Sequence, residues 1–202
     1  MGIIREKIVT VFGSSRPEAG DPDYEEARAL GAELAKRGFA VCTGGYGGTM
    51  EAASRGAKEA GGRVYGVTAE FFARKANGWV DVEVRKKTWD ERLFTLIEMG
   101  DGFVVCKGGT GTLVELAVVW EMLNKGVMTG KPMAVLGNFW RPILDRVREV
   151  EQGAKNRSGE RAWGEAERDL VEVVRTVEEA VRYLGGRLSV GGNDRTKSEN
   201  GK

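Results

Sequence analysis

Glu115 occupies a position where a carboxylate needs a reason. One turn further along an apparent helix stand Val118 and Val119, with Met122 beyond, so its side chain falls on an apolar line. A buried charge is costly unless it is paired. Glu121 on the same stretch has Lys125 four residues later, the ordinary surface arrangement, whereas Glu115 has no such local partner. Two readings follow. Glu115 is either a first-turn carboxylate favoured by the helix dipole, worth about 0.3–1 kcal/mol, or a catalytic carboxylate. Arg92, at the edge of the apolar stripe of the preceding helix, is the candidate long-range partner. Its alternative is a surface arginine whose stem lies along apolar neighbours.

Three turns rich in Gly, Ser and Thr could bring a ligand to that carboxylate. Gly13, Ser14 and Ser15 end a short apolar run and offer two hydroxyls. Gly44, Gly45, Gly47, Gly48 and Thr49 form a second turn around Tyr46, and Gly108, Gly109, Thr110, Gly111 and Thr112 form a third. Each of the last two joins an apolar run to a helix start, where unpaired N–H groups and the helix dipole favour a phosphate. Glycines at any one such turn serve equally well for tight strand-to-helix connections. Two at corresponding places favour a phosphate-bearing ligand. Neither turn has the GK[ST] of a P-loop, and Met50 stands where a dinucleotide fingerprint needs its third glycine.

The elements that must hold these turns alternate between strand and helix. Short β-rich runs are expected at Ile8–Phe12, Phe39–Thr43, Val64–Val67, Gly102–Cys106, Met133–Leu136 and Leu170–Val174, with Val80, Val82 and Val84 alternating in one more. Helical spacing is expected over Tyr24–Arg37 with Asp21 or Asp23 as caps, over Met50–Ala60, from Gly111 to about Lys125, over Ile143–Val150, and from Thr176 to about Leu184. Thr88-x-x-Glu91 is a capping box opening Trp89–Met99, whose stripe is Trp89, Leu93, Leu96 and Ile97. This order implies a single α/β domain, Rossmann-like and doubly wound, on a mostly parallel sheet of about seven strands. Its ligand site lies beyond the carboxyl ends of the strands. The domain is expected over 1–185, with 186–202 as a disordered tail and 151–168 as a polar loop or mobile helix.

Composition narrows the chemistry further. The 202 residues hold 31 Lys plus Arg against 30 Asp plus Glu, a formal charge of +1. No nucleic-acid or membrane partner is expected from that balance. The chain has no histidine, so His-based triads, acids and zinc sites are excluded. Cys42 and Cys106 each end an apolar run outside any CxxC pair, which suits small core residues. The start of the chain has no leader-like pattern, and a reducing cytoplasm is the expected location.

The segment Gly108-Gly109-Thr110-Gly111-Thr112-Leu113-Val114-Glu115 resembles the GGxGTxxE signature of the LOG family, phosphoribohydrolases once widely labelled lysine decarboxylases. Val11 to Ser15, Gly44 to Ala52 and Ala60 to Val67 are similar to the family's first turn, second glycine loop and following strand, and Arg92 precedes Gly108 by the spacing of its catalytic arginine. The resemblance covers roughly Ile8 to Leu144. Lys107 stands where the pattern usually has Pro, and Leu93 where Lys often follows the arginine, which weighs against cytokinin-type specificity.

The resemblance implies hydrolysis of the N-glycosidic bond of a purine or cytokinin-type nucleoside 5'-monophosphate to free base and ribose 5-phosphate. Glu115 would face the ribosyl cation and take the water proton, Arg92 would position Glu115 and the substrate, and the three turns would hold the phosphate. No metal and no cofactor is called for. A homodimer with sites near its interface is implied as well, and a higher homo-oligomer stays open. One alternative is a non-catalytic carrier of a phosphorylated ligand, similar to molybdenum-cofactor carrier proteins. Another is an assembly module whose glycine turns are only structural.

Overall fold

A computed structural model describes residues 5–158 and 170–188. Seven strands, β1 (Ile8–Phe12), β2 (Ala40–Thr43), β3 (Val64–Ala69), β4 (Val82–Lys86), β5 (Gly102–Val105), β6 (Met133–Leu136) and β7 (Val171–Val174), form one sheet in the order β4-β3-β2-β1-β5-β6-β7. Every neighbouring pair is parallel, as the alternation of strands and helices implies. The helices are α1 (Pro22–Lys36), α2 (Thr49–Glu59), α3 (Trp89–Met99), α4 (Thr110–Asn124), α5 (Arg141–Ser158) and α6 (Val177–Arg187).

Side-chain alternation along each strand feeds two cores. Val9 and Val11 of β1 pack with Leu30 and Leu34 of α1, Ala53 and Ala57 of α2 and Leu184 of α6. Phe12, next in register, joins Phe103, Leu96 and Ile97 of α3, Leu116 and Val119 of α4, and Leu144 of α5 on the other face. Because Leu30, Leu34, Leu96 and Leu116 are almost wholly buried, each contributes roughly 1.5–3 kcal/mol. The sheet is thereby clamped between two helical layers, which makes it a rigid base for the loops at its ends.

Several elements differ in extent from the sequence pattern. β3 runs on to Ala69 and into a short 3-10 turn, Glu70–Phe72. β4 begins at Val82, and Val80 packs against the first core instead of joining the strand. Asp21 is at the start of α1, but its side chain accepts from Glu18 N–H outside the helix. α5 continues to Ser158, into the stretch 151–168 expected as loop or mobile helix; 159–169 lies outside the described residues. α6 extends to Arg187 instead of stopping near Leu184, and from 189 onward the expected tail also lies outside them. No helix among the described residues is long and apolar enough to cross a membrane.

Candidate active site

The sheet order reverses at β1, whose chain passes to β2 on one side while β5 occupies the other. A crevice at such a switch point is where open parallel sheets bind ligands. Here a cleft of about 1140 Å³ opens, lined by Gly13, Ser14, Ser15, Lys107 and Gly108 to Thr112, with Arg92 and Glu115. The first and third turns therefore meet the two candidate catalytic side chains in one cavity.

Main-chain hydrogen bonds tie the turns together. Thr49 N–H donates to Ser14 O at 2.8 Å, and Ser14 N–H donates to Lys107 O at 3.2 Å. The first turn is thus strung between the other two. Tyr46 and Met50 of the second loop line the cleft, whereas Gly44, Gly45, Gly47, Gly48 and Thr49 do not. Gly48 shows why this packing requires glycine: its φ is +68°, and a Cβ there would come within 2.4 Å of Ser14 O. The second loop thus serves as a backing that sets where Ser14 and Ser15 sit.

The third turn leads directly into α4 without a side-chain cap. The N–H groups of Thr110, Gly111 and Thr112 meet no acceptor among the described residues. Such a helix start draws an anion through both its free donors and its dipole.

Arg92 owes its place to a local signal and two distant carbonyls. The capping box closes as expected, with Glu91 N–H donating to Thr88 Oγ1 and Thr88 N–H to Glu91 Oε2, each at 3.3 Å. That fixes the first turn of α3 and turns Arg92 inward. The side chain is 7% exposed, which excludes the surface reading. Its Nε donates to Val67 O at 2.8 Å and its Nη2 to Gly44 O at 3.1 Å. Gly44 has no room for more: a Cβ there would stand 1.8 Å from Nη2. The rings of Tyr46 and Phe72 lie 5.4 and 5.6 Å from the guanidinium carbon. Burial lowers the Arg92 pKa, opposed chiefly by the charge of Glu115. Nη1 meets no acceptor among the described residues.

Glu115 is part-buried and makes neither a hydrogen bond nor an ion pair among the described residues. No buried side-chain oxygen there is left without a partner, so its carboxylate oxygens open onto the cleft. Burial pushes its carboxyl up to about 7, and Arg92 pulls in the opposite direction. An acid so placed can hold or release a proton near neutrality.

Other lining residues had no distinct sequence signal. Trp89, expected on the apolar stripe of α3, is 41% exposed and lines the cleft. Tyr46 sits inside a glycine turn and is fixed by its hydroxyl, which accepts from Ala69 N–H at 2.9 Å. Phe72 follows β3 in the 3-10 turn, packed edge-on to Tyr46 with centroids 5.6 Å apart. The signal that could have found Tyr46 and Phe72 is an aromatic residue beside a turn. Cys42 and Cys106 are free and buried, with both thiols pushed up to about 12 by burial, and so are poor nucleophiles. Among the described residues, no three Cys, Asp or Glu side chains converge as a metal site requires.

Comparison with known proteins adds four findings. Residues 6–160 match the model of the SLOG cluster4 family. The cytokinin riboside 5'-monophosphate phosphoribohydrolase of Rhodococcoides fascians is 28% identical over 148 residues, 70% of this chain and 74% of its own length. An uncharacterized protein of Archaeoglobus fulgidus is 30% identical over 133 residues, 64% of this chain and 85% of its own. The solved structure of the molybdenum cofactor binding protein from Rippkaea orientalis superposes with a TM-score of 0.67 at 24% identity, covering 91% of this chain and 98% of that one. At that identity the likeness concerns the fold.

Proposed function

The chain belongs to the SLOG cluster4 family, and from that premise together with the geometry of the cleft we propose that it hydrolyses the N-glycosidic bond of a purine nucleoside 5'-monophosphate. The observation that carries the reading is an unpartnered carboxylate, Glu115, opening onto a cleft beside a buried arginine and a helix start with free N–H groups. The phosphate rests on the N–H groups of Thr110 to Thr112 with the hydroxyls of Ser14 and Ser15. The base lies toward Tyr46, Phe72 and Trp89, which offer flat apolar faces for it to stack on. As the C1'–N bond breaks, its electron pair leaves with the base and the ribose gains cationic character that the Glu115 carboxylate stabilises. Water forms the new C1'–O bond and passes its proton to Glu115, which can return it to the departing base. Arg92 keeps Glu115 ionised and offers Nη1 to the substrate. This chemistry needs neither a metal nor a cofactor.

The test is incubation of the pure protein with AMP and a panel of other nucleoside 5'-monophosphates, with chromatography of free base and ribose 5-phosphate. Release of both from at least one purine nucleotide is expected. Binding without release would instead assign the cleft to a carrier of a phosphorylated ligand.

We also place the protein in the reducing cytoplasm, consistent with two free buried thiols, and as a homodimer. The dimer is supported by apolar side chains left bare on the α3 and α5 side of the sheet, Phe94, Phe139, Ile143 and Val147, which are between 37% and 49% exposed. Light scattering at micromolar concentration should give twice the mass of one chain. A strict monomer would remove this part of the proposal.

A further inference from the structure

The wall of the cleft carries carboxylates beside its cations. Asp21 and Asp23 both line it. Glu26, one turn beyond Asp23 on α1, is raised in pKa by burial and next by the Asp23 charge, so these carboxylates already feel one another. A dianionic phosphate brought to the start of α4 enters that field. A cation that answers it directly on Asp23 is Lys107, where the LOG pattern usually has Pro. Its carbonyl accepts from Ser14 N–H, which seats the residue between the first and third turns. Its Nζ lies 2.7 Å from Asp23 Oδ2. The two side chains are 55% and 42% exposed, so the pair is solvated and weakly held. Exchanging a singly charged carboxylate for a doubly charged phosphate therefore favours the ligand.

We infer that Lys107 is a specificity-determining residue of this cleft, parked on Asp23 in the free protein and released to the phosphate of a phosphomonoester ligand. The inference rests on the nucleoside monophosphate reading for the identity of the ligand, but its phosphate chemistry can be probed separately. With Lys107 on Asp23, the free protein masks both charges. With Lys107 on phosphate, the site distinguishes a nucleotide from the corresponding nucleoside. Arg16, which also lines the cleft and has no side-chain partner among the described residues, supplies a cation that needs no such release.

The experiment compares the wild-type protein with Lys107→Met and Asp23→Asn, using ribose 5-phosphate and inorganic phosphate as calorimetric probes and AMP as the substrate. Lys107→Met should weaken ribose 5-phosphate binding about tenfold and raise the KM for AMP similarly, with kcat within about twofold. Asp23→Asn should act in the opposite direction, tightening the probe severalfold, because it frees Lys107 and removes a repelling charge. If the pair were only a strap between α1 and the third turn, either substitution would cut it and both would shift affinity the same way. That result overturns the inference, as does unchanged phosphate affinity in Lys107→Met. Opposite shifts on ribose 5-phosphate with no release of base from any nucleotide would uphold Lys107 while removing the hydrolase reading, so the two failures are distinct.

Discussion

Glu115→Gln should lower turnover of the best nucleotide by about 100-fold or more, the usual scale for removing one electrostatic group from a transition state. The amide keeps the size and hydrogen-bonding reach of the carboxyl but cannot carry the charge that meets the ribosyl cation. Phosphate binding should persist, because the N–H groups of α4 and the first turn are untouched. Stability should move the other way. The Glu115 carboxyl titrates near 7 in the folded chain against an ordinary value of 4.5, so the native state holds its proton more tightly than the unfolded state. Such a group lowers stability as pH rises from about 4.5 to 7 and leaves the full loss in place above that window. Gln does not titrate. Urea unfolding should therefore find Glu115→Gln equal to wild type near pH 4 and more stable by up to about 3 kcal/mol at pH 8. In the wild type, kcat/KM should fall below about pH 7 as the carboxylate is protonated. A folded Glu115→Gln protein with near-wild-type turnover would return Glu115 to the helix-dipole reading.

Arg92→Lys should be nearly as damaging, although the formal charge is kept. The guanidinium spans Val67 O and Gly44 O at once and still leaves Nη1 without an acceptor among the described residues. A single ammonium on a flexible stem cannot reproduce that fork. One carbonyl then loses its partner inside the protein, costing about 1–3 kcal/mol, and the charge moves relative to Glu115. We expect kcat/KM to drop by about 100-fold and its acid limb to shift to higher pH, because the main influence opposing the burial of Glu115 is weakened. Gly44→Ala should reproduce the effect without touching the arginine, since the new methyl takes the space of Nη2. A pH profile of each variant checks this; unchanged activity in Arg92→Lys would make the fork irrelevant to the reaction.

The sequence pattern made the sheet, its parallel sense and the third turn legible because their signals are local. Apolar runs ended by glycine mark strands that meet helices, and Thr88 with Glu91 marks the start of α3 within four residues. The Glu121–Lys125 pair was readable for the same reason, at 3.6 Å. What could not be read depends on contacts between distant parts of the chain. Arg92 is buried because carbonyls 25 and 48 residues away in sequence accept from it. Trp89 has the periodicity of a core residue, and only the cleft above it leaves it bare. The hydrogen bond from Thr49 N–H to Ser14 O, which packs the second glycine turn on the first, joins residues 35 apart and has no local signal. Periodicity identifies a face of a helix; it does not identify what stands opposite.

The chain of backbone hydrogen bonds from Thr49 through Ser14 to Lys107 divides the cleft into two kinds of material. One end is framed by backbone amides, and its geometry depends on the glycine that their packing requires at Gly48 and on the lengths of the three turns. The other end is built from the rings of Tyr46, Phe72 and Trp89, and its shape can be altered one residue at a time. On the proposed function, a new leaving group could therefore be accommodated by repainting one wall of the cleft while the frame proposed for the phosphate stays as it is. For the proposed reaction, the phosphate would then be a handle and the rest of the ligand interchangeable cargo.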